Sequence, residues 1–261
     1  MKSLNKLLTP AELPAFELIN ANGHSRVLLV CDHASNRIPL SLGNLGLDAG
    51  QLDSHIAWDP GAAQVARAMS AVLDAPLLVS NYSRLVIDCN RAPDRNDSIP
   101  AQSADMIILG NLKLSAANAL LRCQTLFDPY QSAIGKLLDS RSPKIEYLLS
   151  IHSFTPELHG KKRPWWIGVC YNLELELATQ LRMVLSNRID GQVGDNEPYN
   201  IETDVDYTIP VQGESRDIHS IMLEIRQDKI RTTAMAIEWG ETIAHAWQEI
   251  EPAVSAIANP W

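Results

Sequence analysis

Short apolar runs of strand length alternate with longer stretches of helical periodicity along this 261-residue chain. Arg26 to Cys31 (RVLLVC), Pro76 to Ser80 (PLLVS) and Arg84 to Cys89 (RLVIDC) read as strands, as do Glu146 to Ile151 (EYLLSI), Trp165 to Tyr171 (WWIGVCY) and Ser220 to Ile225 (SIMLEI). These runs are nearly unbroken, so both faces of the sheet are expected to be covered, as in parallel or mixed sheets flanked by helices. Helical patterns run from Pro60 to Leu73 and from Leu112 to Leu138, with a break near Asp128-Pro129. Others run from about Leu173 to Asn187 and from about Lys229 to Ile250. Asp59 before Pro60 reads as an N-cap with proline at the first helical position. Gly191 to Gln212 is polar, with Gly, Asp, Asn and Pro, and reads as a long loop of the kind that carries function. The alternation predicts one domain over residues 1–261. Its fold class is α/β: a three-layer sandwich with a mixed, mostly parallel sheet flanked by helices.

Composition narrows the function. With 46% hydrophobic and 20% charged residues the chain has the make-up of a folded globular protein large enough to bury a sizeable core. A net charge of −9 argues against a nucleic-acid partner, which needs a basic face. It leaves room for a small anionic substrate, because a few arginines in a cleft make a local positive site. No apolar run is long enough to span a bilayer, and MKSLNKLLTPAELPAF has no signal-length apolar stretch. The expectation is a cytoplasmic protein with no membrane partner. Cys31, Cys89, Cys123 and Cys170 are widely spaced with no CxxC pair, and read as free thiols. The oligomeric state is not written in these features.

In open α/β sheets ligands bind at the carboxyl ends of strands. Asp32-His33 follows the first run, Asn90-Arg91 follows RLVIDC, His152 follows EYLLSI, and Glu224 with Arg226 ends the late run. Two histidines, an acid and arginines at one edge suit metal-assisted hydrolysis. A catalytic zinc takes about three His or Asp/Glu ligands, and a carboxylate that is not a ligand moves the proton. His33 and His152 are the natural imidazoles. The segment Asp53 to Asp59 offers three choices for a third ligand: Asp53, His55 and Asp59. If helical, it places His55 and Asp59 on one face. Each candidate also has a plainer role, as a strand-end hydrogen bonder, a helix cap or half of a buried ion pair. His24, His159, His219 and His245 have no strand-end placement and read as structural or solvated.

LLVCDHASNRIP, DSHIAWDPGAA, NYSRLVIDCNRAP, IHSFTP, IGVCYN, DNEPYN and MLEIRQD occur in this order. Together they resemble the N-formylglutamate amidohydrolase family, over about Val27 to Asp228. DHASN and HIAWDPG resemble its branch known as predicted N-formylglutamate amidohydrolase. The resemblance implies a zinc-exopeptidase-like (phosphorylase/hydrolase-like) fold and a divalent metal, zinc by expectation, on His33, Asp59 and His152. It implies Glu224 as catalytic acid/base, and Asn90 and Arg91, helped by Arg84, as the grip on the substrate's α-carboxylate. Arg226 either binds a side-chain carboxylate or holds Glu224. The implied substrate is a small anionic N-acyl amino acid, by default N-formyl-L-glutamate. The alternatives are an amidohydrolase for another N-acyl amino acid or peptide-like amide, and a ligand-binding protein on the same scaffold.

Overall fold

The computed structural model describes residues 6–258. Seven strands form its main sheet: β1 (Phe16–Ile19), β2 (Val27–Cys31), β3 (Leu77–Ser80), β4 (Tyr147–Phe154), β5 (Trp165–Cys170), β6 (Gln192–Asp195) and β7 (His219–Arg226). Their spatial order is β1-β3-β2-β4-β7-β5-β6. The pairs β2/β3, β2/β4, β4/β7 and β5/β6 are parallel, while β1/β3 and β5/β7 are antiparallel. The sheet is mixed and mostly parallel, as its unbroken apolar runs require.

The pleat sorts each run onto two cores. Val27, Leu29 and Cys31 of β2 join one cluster, and Leu28 and Val30 join the other. The first cluster packs against α1 (Ala62–Leu73) and, later in the chain, α4 (Leu175–Arg188) and α5 (Thr233–Ala258). The second packs against α3 (Asp128–Ser140). Helix layers on both faces complete the three-layer sandwich. The expected break near Asp128-Pro129 is a π turn, Cys123–Phe127, joining α2 (Ala116–Arg122) to α3. Pro129 sits in the first turn of α3, where a missing N–H is tolerated, so the chain stays helical throughout.

The structure departs from the sequence pattern in several places. Arg84 to Cys89 is not a strand but a buried run of turns. Its polar backbone is satisfied from outside any ladder: Val86 N–H donates to Ser83 O, and Asp88 N–H to Ser98 O. Asn111 Nδ2 donates to Leu85 O, and Arg122 Nη1 to Val86 O. Leu85, Val86 and Ile87 are apolar because they fill a third core with Leu45 and Phe127, which a strand pattern imitates. Second, β1 is an edge strand whose half-exposed FELI has no apolar run to announce it. Third, the polar Gly191 to Gln212 stretch begins with β6 and ends in a π turn, Thr208–Gly213, leaving 196–207 irregular. The last helix starts at Thr233 because Gln227–Lys229 forms a 3₁₀ turn. All four cysteines are free. No helix among the described residues is long and apolar enough to cross a membrane.

Arg122 holds the buried turn run in place. It is 1% exposed, donates to Val86 O, Asn111 Oδ1 and Gly110 O, and burial pulls its pKa down to about 10. Arg122→Met strands these acceptors in the core. Urea denaturation is expected to show a loss on the order of 3 kcal/mol. An unchanged midpoint would mean that the turn run is held by its apolar side chains alone.

Candidate active site

Strands β2, β4 and β7 are parallel and end on one edge, which brings their C-terminal residues together. His33 lies two residues beyond β2. His152 is inside β4, which continues past Ile151 to Phe154, and stands in register with Glu224 on β7. The opposite neighbour of Glu224 is Gly168 on β5. A Cβ at Gly168 or Gly194 would lie 2.0 or 2.3 Å from the Glu197 carbonyl oxygen. The two glycines let the following loop lie against the sheet and bring Tyr199 to the cavity wall.

Asp59 is drawn to the same point. Its backbone N–H donates to His33 O at 2.9 Å. Its Oδ2 lies 2.9 Å from His152 Nδ1 and 3.4 Å from His33 Nδ1, and accepts from Ser153 N–H at 3.3 Å. Asp59 is therefore not the N-cap expected from the sequence. Helix α1 begins at Ala62, after Gly61 in the left-handed region at φ 84°, and has no side-chain cap. The segment from Asp53 to Asp59 is a series of turns, not a helix, so the i, i+4 relation between His55 and Asp59 does not arise. His55 lines the cavity apart from the cluster, and Asp53 faces a separate depression beside Trp58 and Arg231.

His33, Asp59 and His152 are buried, with donor atoms within 4.8 Å of one another, and could hold a metal ion. The second nitrogen of each ring is engaged. His33 Nε2 is 2.7 Å from Asp88 Oδ1, while Asp88 Oδ2 accepts from Arg84 at 2.6 Å. His152 Nε2 is 2.9 Å from Ser150 Oγ and 3.3 Å from Asp32 Oδ2, and Asp32 Oδ1 accepts from Thr208 Oγ1 at 2.9 Å. Partners of this kind fix ring orientation and leave Nδ1 facing the cluster. Within the cluster and Glu224 beside it, two buried side-chain atoms have no hydrogen-bond partner: His33 Nδ1 and Glu224 Oε2. Two imidazoles and a carboxylate, with an orphaned ring nitrogen among them, are a donor set that fits a divalent ion.

The electrostatics agree. Burial opposes a charge on either imidazole, and Arg84 adds to this at His33, yet the acids outweigh both: Asp88 and Asp59 raise the pKa of His33, and Asp32 and Asp59 raise that of His152 well above the ordinary value. Burial works against ionised Asp59 too, but both histidines hold its pKa far below the usual range. The cluster thus sits in a field that favours added positive charge. Glu224 differs. Burial, reinforced by the charge of Asp59, raises its pKa to about 7 against the pull of His152, His33 and Arg84. A carboxyl balanced there can take up and release a proton near neutrality.

Residues 25–231 match the family model described as N-formylglutamate amidohydrolase. The chain belongs to the N-formylglutamate amidohydrolase family. As such it is a hydrolase acting on amide bonds. The crystal structure of gene product Atu2144 from Agrobacterium tumefaciens is 34% identical, with a TM-score of 0.87, covering 94% of this chain and 100% of that one. N-formylglutamate amidohydrolase from Ralstonia eutropha JMP134 is 17% identical, with a TM-score of 0.65, covering 93% and 99% respectively, and shares the fold. No curated protein sequence matches the chain.

The residues that the family resemblance assigns to substrate lie less uniformly than its motifs suggest. Arg84, Asn90 and Arg91 line the same cavity of about 250 Å³ as the cluster and Glu224. Arg84 is bound to Asp88 and lies 3.9 Å from Asp59. Asn90 and Arg91 both donate to one carboxylate oxygen of Asp206, at 3.0 and 2.9 Å. Arg226 lies outside this cavity: Asp228 takes its Nε and Nη2, and its Nη1 donates to the carbonyls of Arg163 and Pro164. It forms no bond to Glu224. Asp32, Asp88 and Asp206 are the acids that sequence reasoning missed. Asp32 and Asp88 had a signal, a carboxylate ending an apolar run, which is the signal that singled out Glu224. Asp206 had none, because it meets Asn90 across 116 residues of chain.

Proposed function

We propose that this amide hydrolase acts on a small N-acyl amino acid, with N-formyl-L-glutamate as the default substrate, and requires a divalent metal, zinc by its donor set. The observation that carries the reading is Glu224: a buried carboxylate with an unpartnered oxygen, in register with His152 and open to the cavity that His33 and Asp59 share. His33, Asp59 and His152 would hold the metal, with Asp88 and Asp32 fixing the two rings. A metal there supplies Lewis acidity, polarising the scissile carbonyl and lowering the pKa of water. Glu224 takes a proton from the attacking water and delivers it to the leaving nitrogen as the C–N bond breaks. The products are the free amino acid and the small carboxylic acid, formate in the default case. Arg84, tied to Asp88 but partly open to the cavity, supplies positive charge toward the reacting carbonyl oxygen.

One observation favours the second reading, an N-acyl amino acid other than N-formyl-L-glutamate. Asp206 neutralises the Asn90–Arg91 pair, which weakens the case for two substrate carboxylates. The test is release of amino acid from N-formyl-L-glutamate and from N-acetyl and N-formyl analogues of other amino acids. Turnover of at least one is expected with metal supplied, and chelation is expected to reduce it by about a thousandfold or more. Full activity after exhaustive chelation would overturn metal dependence. A preference for a longer acyl group over formyl would remove the default substrate.

A further inference from the structure

Two arginines near the cavity stand in opposite conditions. Arg91 already has a carboxylate. Asp206 Oδ1 accepts from both Arg91 and Asn90, and Asp206 Oδ2 accepts from Glu202 N–H at 2.9 Å. Asn90 Oδ1 in turn accepts from the N–H groups of Tyr207 and Thr208, at 3.0 and 2.9 Å. Asp206 is thus tied down through both oxygens and through the residues that follow it. A substrate carboxylate arriving at Asn90 and Arg91 would meet a fixed negative charge and donors already engaged.

Arg163 has no acid paired with it among the described residues. It follows a small hairpin, and its backbone N–H donates to Pro156 O at 2.9 Å. Its carbonyl is held by Arg226 Nη1 at 2.8 Å, which gives Arg226 a place in the site at one remove. The guanidinium carbon lies 4.9 Å from the Tyr199 ring centroid and 5.7 Å from that of Phe154; Nη2 donates to Tyr199 Oη at 2.9 Å and Nη1, more weakly, to Thr155 O at 3.5 Å. Phe154 and Tyr199 line the cavity. Arg163 stands behind these two lining residues, and its charge adds to burial in lowering the pKa of His55 on the wall. A guanidinium seated on an aromatic ring is pre-oriented, and its remaining N–H groups suit a carboxylate.

We propose that Arg163, seated on Tyr199 and braced by Arg226, binds a carboxylate of the substrate, and that Asp206 closes the Asn90–Arg91 corner to it. This rests on reading the chain as an N-acyl amino acid hydrolase. The test compares kcat/KM of the metal-loaded wild type and Arg163→Met on N-formyl-L-glutamate, N-formyl-L-glutamine and the α-amide of N-formyl-L-glutamate. Arg163→Met is expected to lose roughly 10- to 100-fold on each compound that keeps the recognised carboxylate, and little on the amide that lacks it. Which amide is spared tells whether that carboxylate is the α or the side-chain one. Equal losses on all three would mean that Arg163 only supports Tyr199, and no loss would mean that it binds nothing; either overturns the proposal. A wild type that hydrolyses none of the three refutes the substrate reading instead. Calorimetric binding of L-glutamate then decides: weaker binding by Arg163→Met, by the same factor, supports the role of Arg163. Equal affinity, or no binding by the wild type, overturns it.

Discussion

Glu224→Gln is expected to bind metal as the wild type does and to hydrolyse its substrate about a thousandfold more slowly. The substitution keeps size and shape and removes only the ability to ionise. The loss should therefore fall on kcat, because Glu224 acts on the proton that moves and not on ligand binding. A stability measurement on the same variant separates this from damage to the fold. Burial holds the Glu224 carboxyl at about 7 against an ordinary 4.5. The folded chain thus keeps this proton more tightly than the unfolded chain, and stability falls as pH rises through 7. Without metal, the glutamine variant is expected to be the more stable protein above pH 7, by on the order of 3 kcal/mol. The difference should vanish below about pH 4.5, where both chains are uncharged at this position. A variant with wild-type turnover would remove Glu224 from the chemistry.

Loss of either imidazole should be as severe. His33→Ala and His152→Ala each remove a donor from a three-residue cluster and leave Asp59 buried beside fewer positive partners. Both are expected to lose bound metal on dialysis and to fall to background activity. Asp88→Asn is the graded companion. It keeps the partner of His33 Nε2 in place while removing its charge, and weaker metal binding by about 10- to 100-fold is expected. Metal content and turnover measured on the same samples check both. Retention of metal by His33→Ala and His152→Ala would place the ion elsewhere.

The sheet was legible because a strand covered on both faces has to be mostly apolar, and β2, β5 and the N-terminal or central parts of β4 and β7 are. The same rule misread Arg84 to Cys89, where burial came without a ladder and Arg122 and Asn111 supplied the hydrogen bonds a neighbouring strand would have given. Of the site, His33, His152 and Glu224 were legible as polar residues ending buried runs. Asp59 was visible but carried two meanings, and only the fold shows its carboxylate turned to the histidines and not to the start of α1. The roles of Asp206, Arg163 and Tyr199 depend on contacts between distant segments, which no local pattern encodes.

The decisive measurement is metal stoichiometry of the purified wild type by mass spectrometry, after dialysis against buffer containing one supplied divalent ion at a time. About one ion per chain, absent from His33→Ala and His152→Ala and retained by Glu224→Gln, is the expected result. A wild type that binds no ion under any of these conditions would contradict the hydrolytic mechanism at its centre.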